Sequence, residues 1–168
     1  MRTLRAVPVE DVDLTPYGRL FDLADGTAPR VVVEASADWQ DRYTAEPVVT
    51  GPVHLGMTTG PALAVGVTSM ERHPHTHEAL ACLAAPVVLP LSADPGERPA
   101  ADTVVAVVLR PGQCVSLHPG VWHSACLGID GPAAYYWLAG VSDSAPSPWA
   151  DVVDGPLRIE APAGHADG

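Results

Sequence analysis

The sequence predicts a single all-β domain, a sandwich or barrel of short antiparallel strands. Fifteen Gly and 18 Pro in 168 residues punctuate the chain with turns and leave little room for long helices. Short apolar runs recur between Gly51-Pro52, Gly60-Pro61, Asp94-Pro95-Gly96, Arg110-Pro111-Gly112, Pro119-Gly120 and Asp130-Gly131-Pro132, a spacing typical of all-β folds. The length is that of one domain, large enough to bury a core without disulfides or metal. A single Phe leaves that core to Val, Leu and Ala.

Taken in order, residues 8–18 read as a short N-terminal helix or turn, ended by Pro16 and Gly18. Strands are expected at 19–23, 30–34, 47–49, 53–57, 63–69, 70–77, 79–83, 86–91, 103–109, 113–118, 121–127 and 133–139. Residues 92–102 are polar and Pro-rich and read as an exposed loop. Strand 103–109 has little polar alternation, so both its faces should be covered, by its own domain or by a partner. The tail, 142–168, is rich in Ser, Pro, Asp, Gly and Ala, with Trp149 and Leu157 able to anchor its first part. One domain is therefore expected over 1–160 and a disordered tail over 161–168.

Composition excludes several functions. The formal charge of −11 repels phosphate backbones and anionic lipid, so neither nucleic acid nor a membrane surface is an expected partner. All nine basic residues are Arg. Without Lys there is no Schiff-base lysine and no Walker lysine. Without Asn there is no N-glycosylation acceptor and no Cys-His-Asn triad. Cys82, Cys114 and Cys126 lie in apolar stretches with no CxxC pair and read as small buried hydrophobes in a reducing compartment. The first residues lack a signal-peptide core, and the longest apolar stretch, 79–91, is broken by Pro86 and Pro90. A cytoplasmic location is expected.

Chemistry concentrates in histidine. Five of seven His fall in two clusters, Met70-Glu71-Arg72-His73-Pro74-His75-Thr76-His77-Glu78 and Gly112 to His123, the latter with His118-Pro119-Gly120-Val121-Trp122-His123. On an extended strand Glu71, His73, His75 and His77 share one face. His123, on a later strand after a Pro-Gly turn, can reach the same cavity from the opposite side. Imidazoles and carboxylates together suit a divalent transition metal such as Zn, Mn, Ni or Fe. The expected site is His73, Glu78 and His123, with His75, His77 or Glu71 completing the shell.

These clusters resemble the two motifs of the cupin superfamily. Gly112, five residues, His118-Pro119-Gly120, two residues and His123 match the second, with His118 in place of its Pro. The first fits with Glu71 and His73 in its two His positions and Glu78 after a gap of four residues, given a kink at Pro74. The resemblance implies a cupin-type double-stranded antiparallel β-barrel, or jelly roll.

A narrower resemblance spans about residues 7–140. Tyr17-Gly18, Arg42-Tyr43, Glu71-Arg72-His73-Pro74 and Val121-Trp122-His123 are similar in order and spacing to the ureidoglycolate lyase family of allantoin degradation. It implies a cytosolic homodimer that splits ureidoglycolate into glyoxylate and urea, with a small carboxylate as substrate. The chain departs from that family at Glu78, where members carry Gln. It departs again at Cys82-Leu83-Ala84-Ala85, in place of Pro-x-Lys-Gly, and near Met57-Thr58, in place of an Arg. A metal or an altered substrate would answer the lost cations.

The elimination needs a base, an acid and a group to hold the carboxylate. His73 or His118 is expected as base and Glu71 as acid; Arg42, Arg72 or the metal would bind the carboxylate, with Tyr136 facing the cavity. Each residue also has a structural reading. Arg72 and Trp122 alternate with the site residues, so Arg72 suits an outward ion pair and Trp122 the core. Arg42 beside Tyr43 suits the surface, as do His54, Asp151, Asp154 and His165. Two other functions stand beside the lyase: a metal-dependent cupin of another reaction type, an isomerase or oxygenase, and a non-catalytic cupin that binds a small acid.

Overall fold

The structure is a computed structural model and describes residues 1–141 and 149–164. Its strands are β1 (Arg2–Arg5), β2 (Val7–Pro8), β3 (Gly18–Asp22), β4 (Val31–Ala35), β5 (Gln40–Thr44), β6 (Val53–Gly60), β7 (Ser69–Met70), β8 (Glu78–Cys82), β9 (Val87–Ser92), β10 (Val105–Leu109), β11 (Gln113–Leu117), β12 (Trp122–His123), β13 (Leu127–Gly128), β14 (Ala133–Gly140), β15 (Ala150–Asp151) and β16 (Leu157–Glu160).

Two sheets pack face to face, as the cupin-type barrel requires. One runs β3-β11-β8-β14-β6; the other runs β12-β9-β10-β2, with β13 also paired to β9. Alternation builds the core between them. Leu80 and Cys82 of β8 and Val115 and Leu117 of β11 meet Val87, Leu89 and Leu91 of β9 and Val107 and Leu109 of β10. The alternate residues of the second sheet, Val88, Ala106 and Val108, face a second core that includes Leu63, Val67, Trp122, Leu157 and Ile159. The back of that sheet is thus covered by the chain's own ends. This is why strand 103–109 lacks polar alternation, and it leaves that strand with no bearing on a dimer.

Several local expectations are corrected. The N-terminal helix is absent: Val9–Asp11 make one 3-10 turn with no side-chain cap, and Val9 is fully buried. Pro8 precedes this turn and Val12 is already extended, so core burial of Val9 takes the segment instead of a helix. Arg2–Arg5 pair in parallel with β16. Residues 47–49 form no strand; Val48 and Val49 pack as a strap on Phe21, Ala79 and Cys114, outside the first sheet. Residues 63–69 begin with a 3-10 turn, Leu63–Val65. In place of strand 70–77, the chain after β7 makes a single bridge, Glu71 to His123, and then runs irregularly through Pro74 to β8. Leu157 is buried, whereas Trp149 is exposed. His165 lies outside the described residues.

Candidate functional site

The backbone brings the two histidine clusters together. Glu71 N–H donates to His123 O and His123 N–H to Glu71 O, each at 2.8 Å. Gly120 N–H donates to His73 O at 2.9 Å. Gly120 takes φ of +85°, a conformation Gly adopts without steric cost, and so turns Pro119-Gly120 back against the first cluster. Glu78 opens β8 with the inward parity of Leu80 and Cys82, which points its carboxylate into the barrel.

Four side chains converge there. Glu78 Oε2 lies 2.7 Å from His73 Nε2 and 3.1 Å from His123 Nε2. Glu71 Oε1 lies 3.9 Å from His123 Nε2. The His73 and His123 rings are 5.5 Å apart, centroid to centroid. His123 is 3% exposed and Glu78 is 8% exposed. Glu78 Oε2 and both ring nitrogens of His123 are buried with no hydrogen bond of ordinary geometry despite these short distances. Buried polar atoms rarely stay unsatisfied. A cation at their common centre would satisfy Glu78 Oε2 and one ring nitrogen of His123, and Glu71, His73 and His123 offer ligand atoms all within 4.8 Å of one another. The donor set of imidazole and carboxylate fits a divalent transition metal.

Electrostatics separate the two carboxylates. Burial pushes Glu78 up, but the imidazoles of His123 and His73 outweigh it and hold its carboxyl down to about 2. Glu71 moves the other way, raised by burial and only partly offset by His123 and His73. His73 is raised, first by its contact with Glu78.

The other expected residues lie elsewhere. His75 is exposed. His77 meets His118 edge-on, 6.3 Å between centroids, beside Arg19. Arg19 shares the outer face with Phe21, so this pair stands apart from the Glu78 side of the sheet. The common face expected for Glu71, His73, His75 and His77 fails because residues 71–77 are not a strand. Arg42 is exposed and donates to Leu23 O, Ala24 O and Gln40, tying the β4–β5 hairpin to the turn after β3. Arg72 stacks 4.4 Å over Trp122 and donates to Gly96 O at 2.9 Å. Tyr136 is 39% exposed on the outer face, across from Met57 and Ala81. The inward residues are its neighbours: Tyr135 is buried, and Trp137 Nε1–H donates to Thr58 Oγ1 at 3.2 Å. The cross-strand partners of Cys82 and Leu80 are Tyr135 and Trp137, so the pairing of β14 with β8 fixes this parity; the sequence alone carries no sign of it. Among the described residues, no Arg is bonded to Glu71, His73, Glu78 or His123.

The fold and site define a small all-β cupin whose barrel holds a His/Glu group able to bind a metal ion. The pattern of the ureidoglycolate lyase family matches residues 1–153, and the chain belongs to that family. Among solved structures, RmlC from Streptococcus suis in complex with dTDP-D-xylose aligns over 85% of this chain and 72% of that one, at 14% identity and a TM-score of 0.44. A search of curated proteins gives no match. No helix among the described residues is long and apolar enough to cross a membrane, which says nothing of spans made by strands.

Proposed function

We propose that this protein is a ureidoglycolate lyase-like enzyme that eliminates urea from ureidoglycolate, or a related small hydroxy acid, to give glyoxylate. The observation that carries the reading is the convergence of Glu71, His73, Glu78 and His123 with the two carboxylates shifted in opposite directions. Such divergence is how a site assigns acid–base roles. Glu78 stays anionic and, nearer to the Nε2 atoms of His73 and His123 than Glu71 is to His123, would hold with them a divalent ion, zinc, manganese, nickel or iron, leaving Glu71, which also lies within ligand reach, for proton transfer. A bound ion would supply the positive charge for the substrate carboxylate that no Arg supplies at this site.

Glu71 is the acid–base group. Its carboxylate takes the proton from the carbinol hydroxyl, the C=O bond forms, the C–N bond breaks, and the same proton passes to the departing urea nitrogen. A carboxyl whose pKa is raised toward neutral serves both halves of such a transfer better than an ordinary one. His73 would hold the ion instead of acting as base, and His118 lies with His77 away from the centre. We further propose a cytoplasmic homodimer; the three Cys are free and buried, in keeping with a reducing compartment.

The lack of a bonded guanidinium at the site supports a second reading, a metal cupin of another reaction type or a cupin that only binds a small acid. Metal analysis of untagged protein, followed by incubation with ureidoglycolate, separates the readings. The lyase releases urea and glyoxylate above the blank and loses this on His73→Ala. Bound metal with no release favours the second reading.

A further inference from the structure

Arg72 and Trp122 take part in no step of that chemistry, yet each adjoins side chains of the centre. The reciprocal bonds between Glu71 and His123 form a short antiparallel bridge, and successive residues leave it on opposite faces. Glu71 and His123 face the centre; Arg72 and Trp122 face away. On that far side the Arg72 guanidinium lies 4.4 Å over the Trp122 ring and donates to Gly96 O at 2.9 Å. Trp122 Nε1–H donates to Asp94 O at 3.1 Å. The Asp94 carboxylate in turn accepts Gly96 N–H at 2.8 Å and Ala100 N–H at 3.0 Å, which fixes the loop that both side chains grip. Trp122 is 3% exposed and pairs with Ser92 on β9, so the grip is anchored to the second sheet.

We propose that Arg72 is a positioning residue: clamped with Trp122 onto the Asp94–Gly96 loop, it sets the separation of Glu71 and His123 and so the geometry of the centre. One of its donors is spent on the Gly96 carbonyl and its face on the Trp122 ring, on the side of the bridge away from the centre. A planar guanidinium that both stacks and donates has few alternative arrangements, and Lys reproduces only the charge. The inference rests on the proposed site, but its structural part needs neither metal nor substrate.

The test compares Arg72→Met, Arg72→Lys and Trp122→Phe. In metal-free protein, nitrogen NMR of the imidazoles reads the centre directly. Arg72→Met is expected to shift the His73 and His123 ring signals and leave His54 in place, with Arg72→Lys intermediate. In metal-binding titrations Arg72→Met should weaken affinity about tenfold, the low end for residues that orient ligands. In turnover it should lower kcat with KM unchanged. Ring signals and metal affinity identical to wild type would overturn the proposal. So would a rise in KM alone, which identifies a carboxylate clamp. If Arg72→Met does not fold, Trp122→Phe decides, because it keeps the ring and removes one loop bond; unshifted ring signals there also overturn the proposal. Wild-type protein that releases no urea defeats the lyase reading and leaves the NMR comparison to decide this one.

Discussion

At the scale of single residues, two glutamates a few positions apart acquire opposite characters from where they sit. Glu78 is flanked by two imidazoles, and Glu71 is held mainly against burial. Replacing Glu71 by Gln keeps the shape and removes the proton shuttle. Urea release should fall by about 10²–10⁴-fold, the usual contribution of general acid–base catalysis, while bound metal, measured by elemental analysis, is retained. Glu78 carries a prediction about pH in the metal-free protein. A folded pKa below the unfolded one adds stability above the unfolded value and loses it as pH falls through the folded value. The window therefore runs from 4.5 down to about 2, and a shift of that size corresponds to about 3 kcal/mol. Thermal melts across that window should show a steeper acid loss for wild type than for Glu78→Gln; parallel curves would contradict this. The motif spacing made His73, Glu78 and His123 legible in the sequence as one group. It could not show that His77 and His118 leave that group, because their direction depends on where β8 and β11 begin and end.

At the scale of elements, alternation read the barrel well where a strand is buried on a face and poorly elsewhere. Strands β8, β9, β10, β11 and β14 lie within a residue or two of their expected ranges, since apolar runs of β-formers have one way to bury both sheets. The β5 strand, Gln40-Asp41-Arg42-Tyr43-Thr44, carries no apolar alternation because it is polar and exposed; it exists through pairing with β4 and the Tyr43 hydroxyl bond to Glu34 at 2.7 Å. In segment 70–77 the His spacing imitates alternation, but Pro74 and the turn back to Gly120 break it and no strand runs on from Met70. The core between the sheets makes its own prediction. Leu89 is fully buried, so Leu89→Ala should cost about 2–5 kcal/mol in urea unfolding, through lost burial and the cavity left behind. Val65→Ala, at a residue 67% exposed, should cost well under 1 kcal/mol, within the range of surface substitutions.

At the scale of the whole molecule, the proposed dimer draws support from a surface the sequence did not single out. On the outer face of the first sheet, Tyr136 lies across from Met57 and Leu138 across from Leu55, and β6 is an edge strand. Leu55 and Met57 are exposed there, with Val53 beside them; such a grouping marks an interaction surface more often than a bare one. Light scattering at micromolar concentration should give a dimer mass for wild type and a monomer mass for Leu55→Asp; a wild-type monomer would contradict it. The lyase assignment itself rests on one small centre inside one barrel. Its most direct test is urea release from ureidoglycolate by protein stripped with chelator, by the same protein reloaded with a divalent metal, and by reloaded Glu71→Gln. Release is expected only from the reloaded wild type, with one glyoxylate formed per urea. Equal release from all three, or none from any, would contradict it.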